Sequence, residues 1–308
     1  MEKDASGYID ETVESANKRG HAADHSVPKD HSRPSHEYQL VSFPGWINLE
    51  LSARLQVIKY FLRRNQEAEA ELKQEIDDLF EQAQQGAGAT KGLDPRCEDE
   101  WLVRVEEMYY LDAVHSTAAV GLLAPFVEAL FDAINKFYRG RVQQAANDNP
   151  HHCRATAGEA KLCDPHYFFT EKGYEKNLSA GIDQLADLIK LRRFFPEDYV
   201  EVLGALFHYR NKMLHCGFVW SEKERENFKR KFGNNWPEDW FECMDRGDEE
   251  SYVIYMTNEF IKHCLQTIDN IMTGVEKYHR SLHQDKLKII ENMPESNFFN
   301  LIQNGETK

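Results

Sequence analysis

Apolar residues recur at helical spacing along most of the chain, and this predicts a helical protein. The first such pattern places them mostly three or four residues apart: Leu51, Leu55, Ile58 and Leu62, then Leu72, Ile76 and Leu79. The residues between the two runs are strong helix formers, so we expect one long helix or two collinear helices over about 48–84. The sequence GAGATKGLDP then ends the helical pattern.

A second helical stretch begins near Glu98 and is apolar on most of its faces, which is typical of a helix at the centre of a core. Gly121 and Pro125 lie inside it, so we expect a kink or a split there. Its longest charge-free apolar run covers 113–127. That run is too short to cross a bilayer, so we predict a core helix and no membrane association.

Three further helices are predicted, over 178–193, from Pro196 to Gly217, and over 250–283. Gly217 is suited to a helix C-terminus because glycine adopts the left-handed backbone conformation found there. The buried face of the last helix is assigned to these residues: Val253, Met256, Phe260, Cys264, Ile268, Ile271 and Val275.

The whole pattern predicts an all-α protein, with a bundle of four to five long helices and an N-terminal helical extension. Neither strand-like alternation at length nor an internal repeat is visible. The predicted parts are a polar tail (1–45), a helical extension with its linker (46–97), the bundle (98–284) with excursions at 140–177 and 217–248, and a C-terminal segment (285–308).

Charge narrows the range of partners. The net charge of -15 argues against a protein that coats nucleic acid or an anionic membrane through its overall field. Between Ile189 and Phe232, however, ten Lys/Arg face six Asp/Glu, and the segments IKLRRFF and NFKRKF mix bases with aromatic residues. Such a patch can hold a single-stranded nucleic-acid backbone. The alternative is a set of ordinary solvated helix faces.

Cysteine usage and the N-terminal sequence indicate a cytoplasmic protein. The six cysteines include no pair at CxxC spacing, and the first forty residues contain no apolar signal region. The cluster His151, His152, Cys153, Cys163 and His166 contains zinc-ligand residue types, but its spacing fits no standard site. We therefore interpret it as a solvated loop and expect neither a metal nor a cofactor.

The segment YRNKMLHCG carries the most specific chemical signal. On a helical wheel its helix has one wide apolar arc: Val200, Val202, Leu203, Leu206, Phe207, Met213 and Leu214. Arg210 falls inside this arc, where a charge needs a carboxylate, an interface or a phosphate as its partner. Asn211 and His215 share one edge of the arc because they are four residues apart, and His208 lies on that edge one turn earlier.

These residue types suit a phosphodiester substrate. An arginine offers fixed donors to phosphate oxygens, and a histidine moves protons near neutral pH. The spacing resembles the RxxxxH signature of the HEPN superfamily, here formed by Arg210, Asn211 and His215. The resemblance covers about 98–284 at the level of the helix pattern.

The resemblance implies a compact helical bundle that acts as a metal-independent endoribonuclease and as a homodimer. Members of the family work in toxin–antitoxin, antiviral or RNA-processing systems, so RNA and a protein partner or antitoxin are the implied partners. In the implied mechanism an RNA 2′-hydroxyl attacks the adjacent phosphorus. His215 then serves as general base or acid, Arg210 stabilises charge on the phosphoryl oxygens, and Asn211 orients the histidine or the phosphate.

A structural interpretation of the same residues remains open. Arg210 can form an ion pair with an acid of a neighbouring helix, for example within VRVEEMYYLD. The chain would then be a non-catalytic helical module that binds a protein or RNA. The family resemblance assigns no role to the N-terminal helix or to the excursion at 217–248.

Overall fold

A computed structural model describes residues 36–86, 95–232, 238–245 and 251–291. The chain divides into two compact units, Met1–Val41 and Ser42–Lys308. Most of the predicted polar tail, residues 87–94 and the end of the chain after residue 291 lie outside the described residues.

The described part of the chain is mostly helical. Its helices are α1 (His36–Gly86), α2 (Pro95–Phe137), α3 (Arg139–Asp148), α4 (Glu159–Leu162), α5 (Leu178–Leu188), α6 (Tyr199–Cys216), α7 (Glu222–Phe232) and α8 (Asn258–Glu291). Its strands are β1 (Tyr167–Thr170), β2 (Gly173–Lys176), β3 (Val219–Ser221), β4 (Phe241–Asp245) and β5 (Ser251–Met256). Short 3₁₀ turns cover Cys153–Thr156, Arg192–Phe194 and Glu238–Trp240.

The two long N-terminal helices differ from the sequence-based prediction in their extent: α1 begins earlier, and α2 is not split. Helix α1 begins at His36, so residues 36–45 are helical where the sequence predicts a polar tail. Helix α2 runs without a break through Gly121 and Pro125, so no split occurs there. An interior proline removes one helical hydrogen bond, and the buried apolar residues on both sides of Pro125 hold the helix in place.

By length and composition alone, one described helix could cross a membrane, over Asp99–Phe137, and half of its most apolar 18-residue window is buried inside the protein. Core helices of soluble proteins meet the same criterion. The absence of membrane association stays a prediction.

Helix α6, which carries most of YRNKMLHCG, forms the core with three other helices. Helices α2, α5, α6 and α8 pack against one another, and completely buried side chains fill the space between them: Leu123, Val127, Ala205, Leu206, Cys264 and Ile268. Helix α6 ends as predicted, because Gly217 has a φ of 69° and its N–H donates to the carbonyl of Met213. Helix α5 ends at Leu188, five residues before its predicted end, and Lys190 with a φ of 62° turns the chain.

A small antiparallel sheet corrects the all-α prediction. Strands lie in the order β3-β5-β4, and Val253 pairs with both Val219 and Met244. The sequence assigns Val253 and Met256 to the last helix, but both are buried on strand β5, and helix α8 starts at Asn258. The run SYVIYM is rich in β-branched and aromatic residues, which favour strands, and short apolar runs fit both periodicities. The protein is therefore mainly α with small sheets.

The excursion predicted as irregular at 140–177 is folded. It contains helices α3 and α4 and the hairpin β1–β2, in which Phe168 pairs with Glu175. Arg154 organises it. This side chain is fully buried, and its guanidinium donates to Gln184 Oε1 and to the carbonyls of Lys161, Leu162, Asp164, Tyr167 and Gly181. A buried charge therefore gathers the carbonyls of an otherwise open loop.

A buried hydrogen-bond network connects the sheet to the helices. The Ser116 hydroxyl donates to the Tyr209 hydroxyl over 2.9 Å, and the Tyr209 hydroxyl donates to the carbonyl of Ile254 over 2.9 Å. The backbone N–H of Met256 donates to Ser116 Oγ over 2.7 Å. Because every buried polar group of this network has a partner, it fixes strand β5 against helices α2 and α6.

Candidate functional site

Arg210 lies half-buried on helix α6 and faces helix α2. Its Nη1 is 2.5 Å from Glu128 Oε1, and its guanidinium carbon lies 5.2 Å from the centre of the Phe207 ring. A carboxylate is thus one partner of this charge on the apolar arc, as the structural interpretation expects. The acid is Glu128, however, and not a residue of VRVEEMYYLD.

Asn211 holds the same guanidinium from the exposed side of the helix. Its Oδ1 accepts hydrogen bonds from Arg210 Nε over 3.2 Å and from Arg210 Nη2 over 3.1 Å. An arginine has five N–H donors. Within the described part of the chain, Glu128 and Asn211 take three of them, and one N–H on each terminal nitrogen of Arg210 has no protein acceptor.

The last turn of α6 leaves the core. His215 is exposed, and so is Leu214, whose surface is 77% accessible. The apolar arc on the helical wheel is therefore not buried over its whole length. Phe207, Arg210 and Leu214 follow one another along one strip of the helix, and this strip changes from buried to half-buried to exposed toward its end.

Arg210 and His215 diverge on the helix. Five residues at 100° each place them about 140° apart around the axis and about 7.5 Å apart along it. Asn211 and His215 are only about 40° apart and share the exposed face. Arg210 and His215 therefore leave different faces of α6, although both lie near its end.

Helix α7 lies beside this end of α6. Lys212 forms an ion pair with Glu224, and the ring of His208 stacks on that of Phe228 with 5.1 Å between their centres. Phe228 is buried and anchors α7. The bases Lys223, Lys229 and Arg230 are exposed on the same helix, so this part of the predicted basic segment is on the surface.

The histidines and cysteines of the 151–166 segment have separate surroundings. His152 Nδ1 accepts a hydrogen bond from the backbone N–H of Arg154 over 3.2 Å. His166 Nδ1 lies 2.8 Å from Asp164 Oδ1. Across the described ranges, no group of three or more His, Cys, Asp or Glu residues is arranged to hold a metal ion.

A buried charge cluster between α1 and α2 escaped the sequence interpretation. Glu69 Oε1 is 2.8 Å from Lys73 Nζ, and its Oε2 is 3.5 Å from Nδ1 of the buried His115. These contacts lower the pKa of Glu69 to about 2, and the contact with His115 has the largest effect. Burial and the neighbouring Glu69 raise the pKa of Asp112 to about 6. A signal was present, because Glu69 lies midway between Leu62 and Ile76 at intervals of seven residues, which marks a buried position.

Arg154 was missed for a different reason. Its segment, HHCRATAGEAKLCDPH, has no period that would mark a buried position, and its acceptors are backbone carbonyls that no sequence motif records. Burial lowers the pKa of Arg154 to about 10, so the group remains a cation at neutral pH.

Comparison of the chain with protein-family models, with curated proteins and with solved structures gives no match. At the end of α6, Arg210 offers N–H donors to an anionic oxygen, and the Asn211 amide orients this guanidinium. His215 offers an exposed imidazole for proton transfer.

Proposed function

We propose that this chain is a HEPN-type, metal-independent endoribonuclease that acts as a homodimer. The observation that carries the proposal is the contact between Asn211 and Arg210, which orients a half-exposed guanidinium and leaves it donors for a phosphate. The exposed His215 on the next turn and the mainly helical architecture support it.

In the proposed reaction the RNA 2′-oxygen forms a bond to the adjacent phosphorus and gives up its proton to a general base. The bond from phosphorus to the 5′-oxygen breaks, and a general acid protonates that oxygen. His215 serves as the base or the acid, and Arg210 donates to the phosphoryl oxygens as charge builds up on them. The products are a 2′,3′-cyclic phosphate and a 5′-hydroxyl.

A second copy of the chain completes the site in this proposal. Arg210 and His215 diverge by about 140° on one helix, so one protomer supplies only part of the set for a given phosphate. Leu214 lies between them in sequence and exposes an apolar side chain that a partner helix would cover. The pairing of two α6 ends brings arginines and histidines from both copies around one cleft.

Cleavage of RNA in the presence of EDTA tests the proposal. Wild type is compared with His215→Ala and with His151→Ala, the same change at another exposed histidine. We expect cutting in EDTA by wild type and His151→Ala, and a loss of about 10²- to 10⁴-fold in His215→Ala, since proton transfer by a placed histidine contributes that much. Equal cutting by all three proteins, or no cutting of varied RNAs, contradicts the proposal.

The ion pair between Arg210 and Glu128 favours a second candidate, a non-catalytic helical module that binds a protein partner or RNA. In that case the cluster at the end of α6 stabilises an interface, and the acidic remainder of the surface meets partners. His215→Ala would then dissociate the assembly in size-exclusion chromatography with light scattering. A dimer that survives this substitution while cleavage is lost favours the nuclease.

A further inference from the structure

A groove lies next to Glu128, the partner of Arg210. Its volume is about 520 Å³, which lies in the range of small-ligand pockets. One wall is the end of α2, from Glu128 to Lys136, together with Arg139 at the start of α3, and the other is the segment from Ala160 to His166. Glu128 therefore contacts Arg210 and also forms one end of the groove.

Asn135 contributes a buried polar side chain to the wall of this groove. The residue is only 6% exposed and lines the groove, and its Nδ2 has no acceptor among the residues that the structure describes. A buried amide nitrogen without a partner is costly, and a leucine of similar size would avoid that cost. Such an atom in a cavity wall is explained by a ligand that supplies the acceptor.

His166 forms part of the opposite wall, and its contact with Asp164 fixes the orientation of the ring. Asp164 Oδ1 lies 2.8 Å from His166 Nδ1 and accepts a hydrogen bond from the His166 backbone N–H over 2.9 Å. The side chain remains 57% exposed, so one ring face is open. Imidazole rings are among the surfaces on which unstacked RNA bases lie.

The charges around the groove favour an uncharged heterocycle over a phosphate group. Lys136 Nζ is 2.7 Å from Asp132 Oδ2, Glu128 pairs with Arg210, and Asp164 contacts His166. These contacts balance most of the lining charge within the protein. A ring with polar edges can use the Asn135 donor and the His166 face without displacing any of the ion pairs.

We propose that this groove binds the base of a nucleotide next to the phosphate that is cleaved, and so sets the base preference of the enzyme. Asn135 Nδ2 donates to a carbonyl oxygen or ring nitrogen of that base, and the His166 ring stacks on its face. This inference rests on the proposed ribonuclease, because the shared residue Glu128 places the groove beside Arg210.

Binding to uncut RNA provides the test. Fluorescein-labelled 12-mers of oligo(A), oligo(C) and oligo(U) are titrated with the His215→Ala protein, which removes cleavage in the proposed mechanism. Asn135→Leu is added in this background, and Asn147→Leu, at an exposed position of α3, serves as its matched control. The melting temperature of each variant is measured in parallel.

We expect the starting protein to bind the three RNAs with different affinities. Asn135→Leu should reduce the ratio between the highest and lowest affinity by about three- to tenfold, which is the contribution of one hydrogen bond. The melting temperature of this variant should stay equal or rise. His166→Ala should weaken all three RNAs by similar factors, since stacking does not depend on base identity. Asn147→Leu should leave the preference unchanged.

The outcomes separate the groove from the nuclease. If wild type cuts RNA but Asn135→Leu leaves both the binding preference and the cleavage preference unchanged, the base site is wrong and the ribonuclease stands. An Asn135-dependent preference in a protein that never cuts supports the groove and refutes the nuclease. Absence of binding to all three RNAs, or a falling melting temperature with an unchanged preference, overturns the proposed base site.

Discussion

At the scale of the residue, Arg154 shows how a charge can be structural without a counter-ion. None of the described carboxylates lies within ion-pair distance of it, and its donors go to backbone carbonyls and to Gln184. Its ring neighbour is Phe169, whose centre lies 5.0 Å from the guanidinium carbon. The planar, five-donor group of arginine suits this arrangement, and the three-donor ammonium of lysine does not.

Replacement of Arg154 should therefore damage the fold more than the charge change suggests. We expect Arg154→Lys and Arg154→Ala to lower the free energy of unfolding by about 3–5 kcal/mol, because several buried carbonyls lose their donor. Urea denaturation followed by circular dichroism measures this loss. The exposed Arg63→Ala on α1 is the control and should shift it by less than about 0.5 kcal/mol. A comparable shift in the control and in Arg154→Ala would contradict the structural role.

Asp112 makes stability depend on pH. Its pKa in the folded protein is about 6, above its ordinary value of 3.8, because burial and Glu69 disfavour the ionised form. Between these two values the folded state binds more protons than the unfolded state, so this group lowers stability as pH rises through that range. Above pH 6 the ionised Asp112 opposes folding.

Asp112→Asn should accordingly raise the melting temperature, and by more at pH 7.5 than at pH 5, because asparagine stays neutral beside Glu69. Thermal unfolding at the two pH values measures the difference. The control is Asp132→Asn, which is exposed and pairs with Lys136, and its effect should be small at both pH values. A stabilisation by Asp112→Asn that is equal at the two pH values would argue against the raised pKa.

At the scale of the element, close packing decides how helix α5 meets the 151–170 segment. A Cβ on Gly181 would lie 2.1 Å from the carbonyl oxygen of Pro165 and 2.8 Å from that of Tyr167. These are backbone atoms, so the neighbouring chain cannot move aside as a flexible side chain could. The same segment carries the carbonyls that Arg154 holds and one wall of the groove.

Gly181→Ala should lower the free energy of unfolding by about 1–3 kcal/mol, because the added methyl group overpacks α5 against Pro165. The control is Gly121→Ala in α2, where no atom lies within 4 Å of the added Cβ. There alanine should stabilise the helix by about 0.5–1 kcal/mol, since it favours helices over glycine. Equilibrium urea unfolding of both variants checks the opposite signs. Two changes of the same sign would contradict the packing argument.

At the scale of the whole molecule, the end of α6 combines an exposed apolar residue with the candidate catalytic groups. Leu214 is exposed between Arg210 and His215 in sequence, and the basic helix α7 lies beside them. The rest of the chain is strongly acidic, with a net charge of -15 overall. In the proposed ribonuclease this charge distribution would direct an RNA toward one region, and a second copy of the same region would give a symmetric interface.

Leu214→Glu should convert the proposed dimer to a folded monomer and abolish RNA cleavage, because the side chain makes no core contact in one protomer. Light scattering and the EDTA cleavage assay provide the two measurements. Leu49→Glu, at a similarly exposed leucine of α1, is the control and should leave both unchanged. A Leu214→Glu protein that remains dimeric, or that cuts RNA as a monomer, would exclude this interface.

The amino-acid sequence alone determined the helical class, the core helices and the C-terminus of α6 at Gly217, because periodicity and glycine conformation are local properties. It also determined the order of Arg210, Asn211 and His215, and with it their angular separation on a helix. The HEPN resemblance, the reaction and the RNA partner stay predictions. The residue types of YRNKMLHCG were therefore visible in the sequence, but their neighbours in the fold were not.

The tertiary structure decided which surroundings each of these residues has. Glu128 pairs with Arg210 from 82 positions away in the sequence, and Leu214 is exposed because no described element covers the end of its strip. The run 251–256 is a strand because β3 and β4 supply its partners, which a local period cannot reveal. Segments that are distant in sequence meet only in the folded chain. They decide which residue pairs with a charge, whether an apolar face is buried and which strands pair.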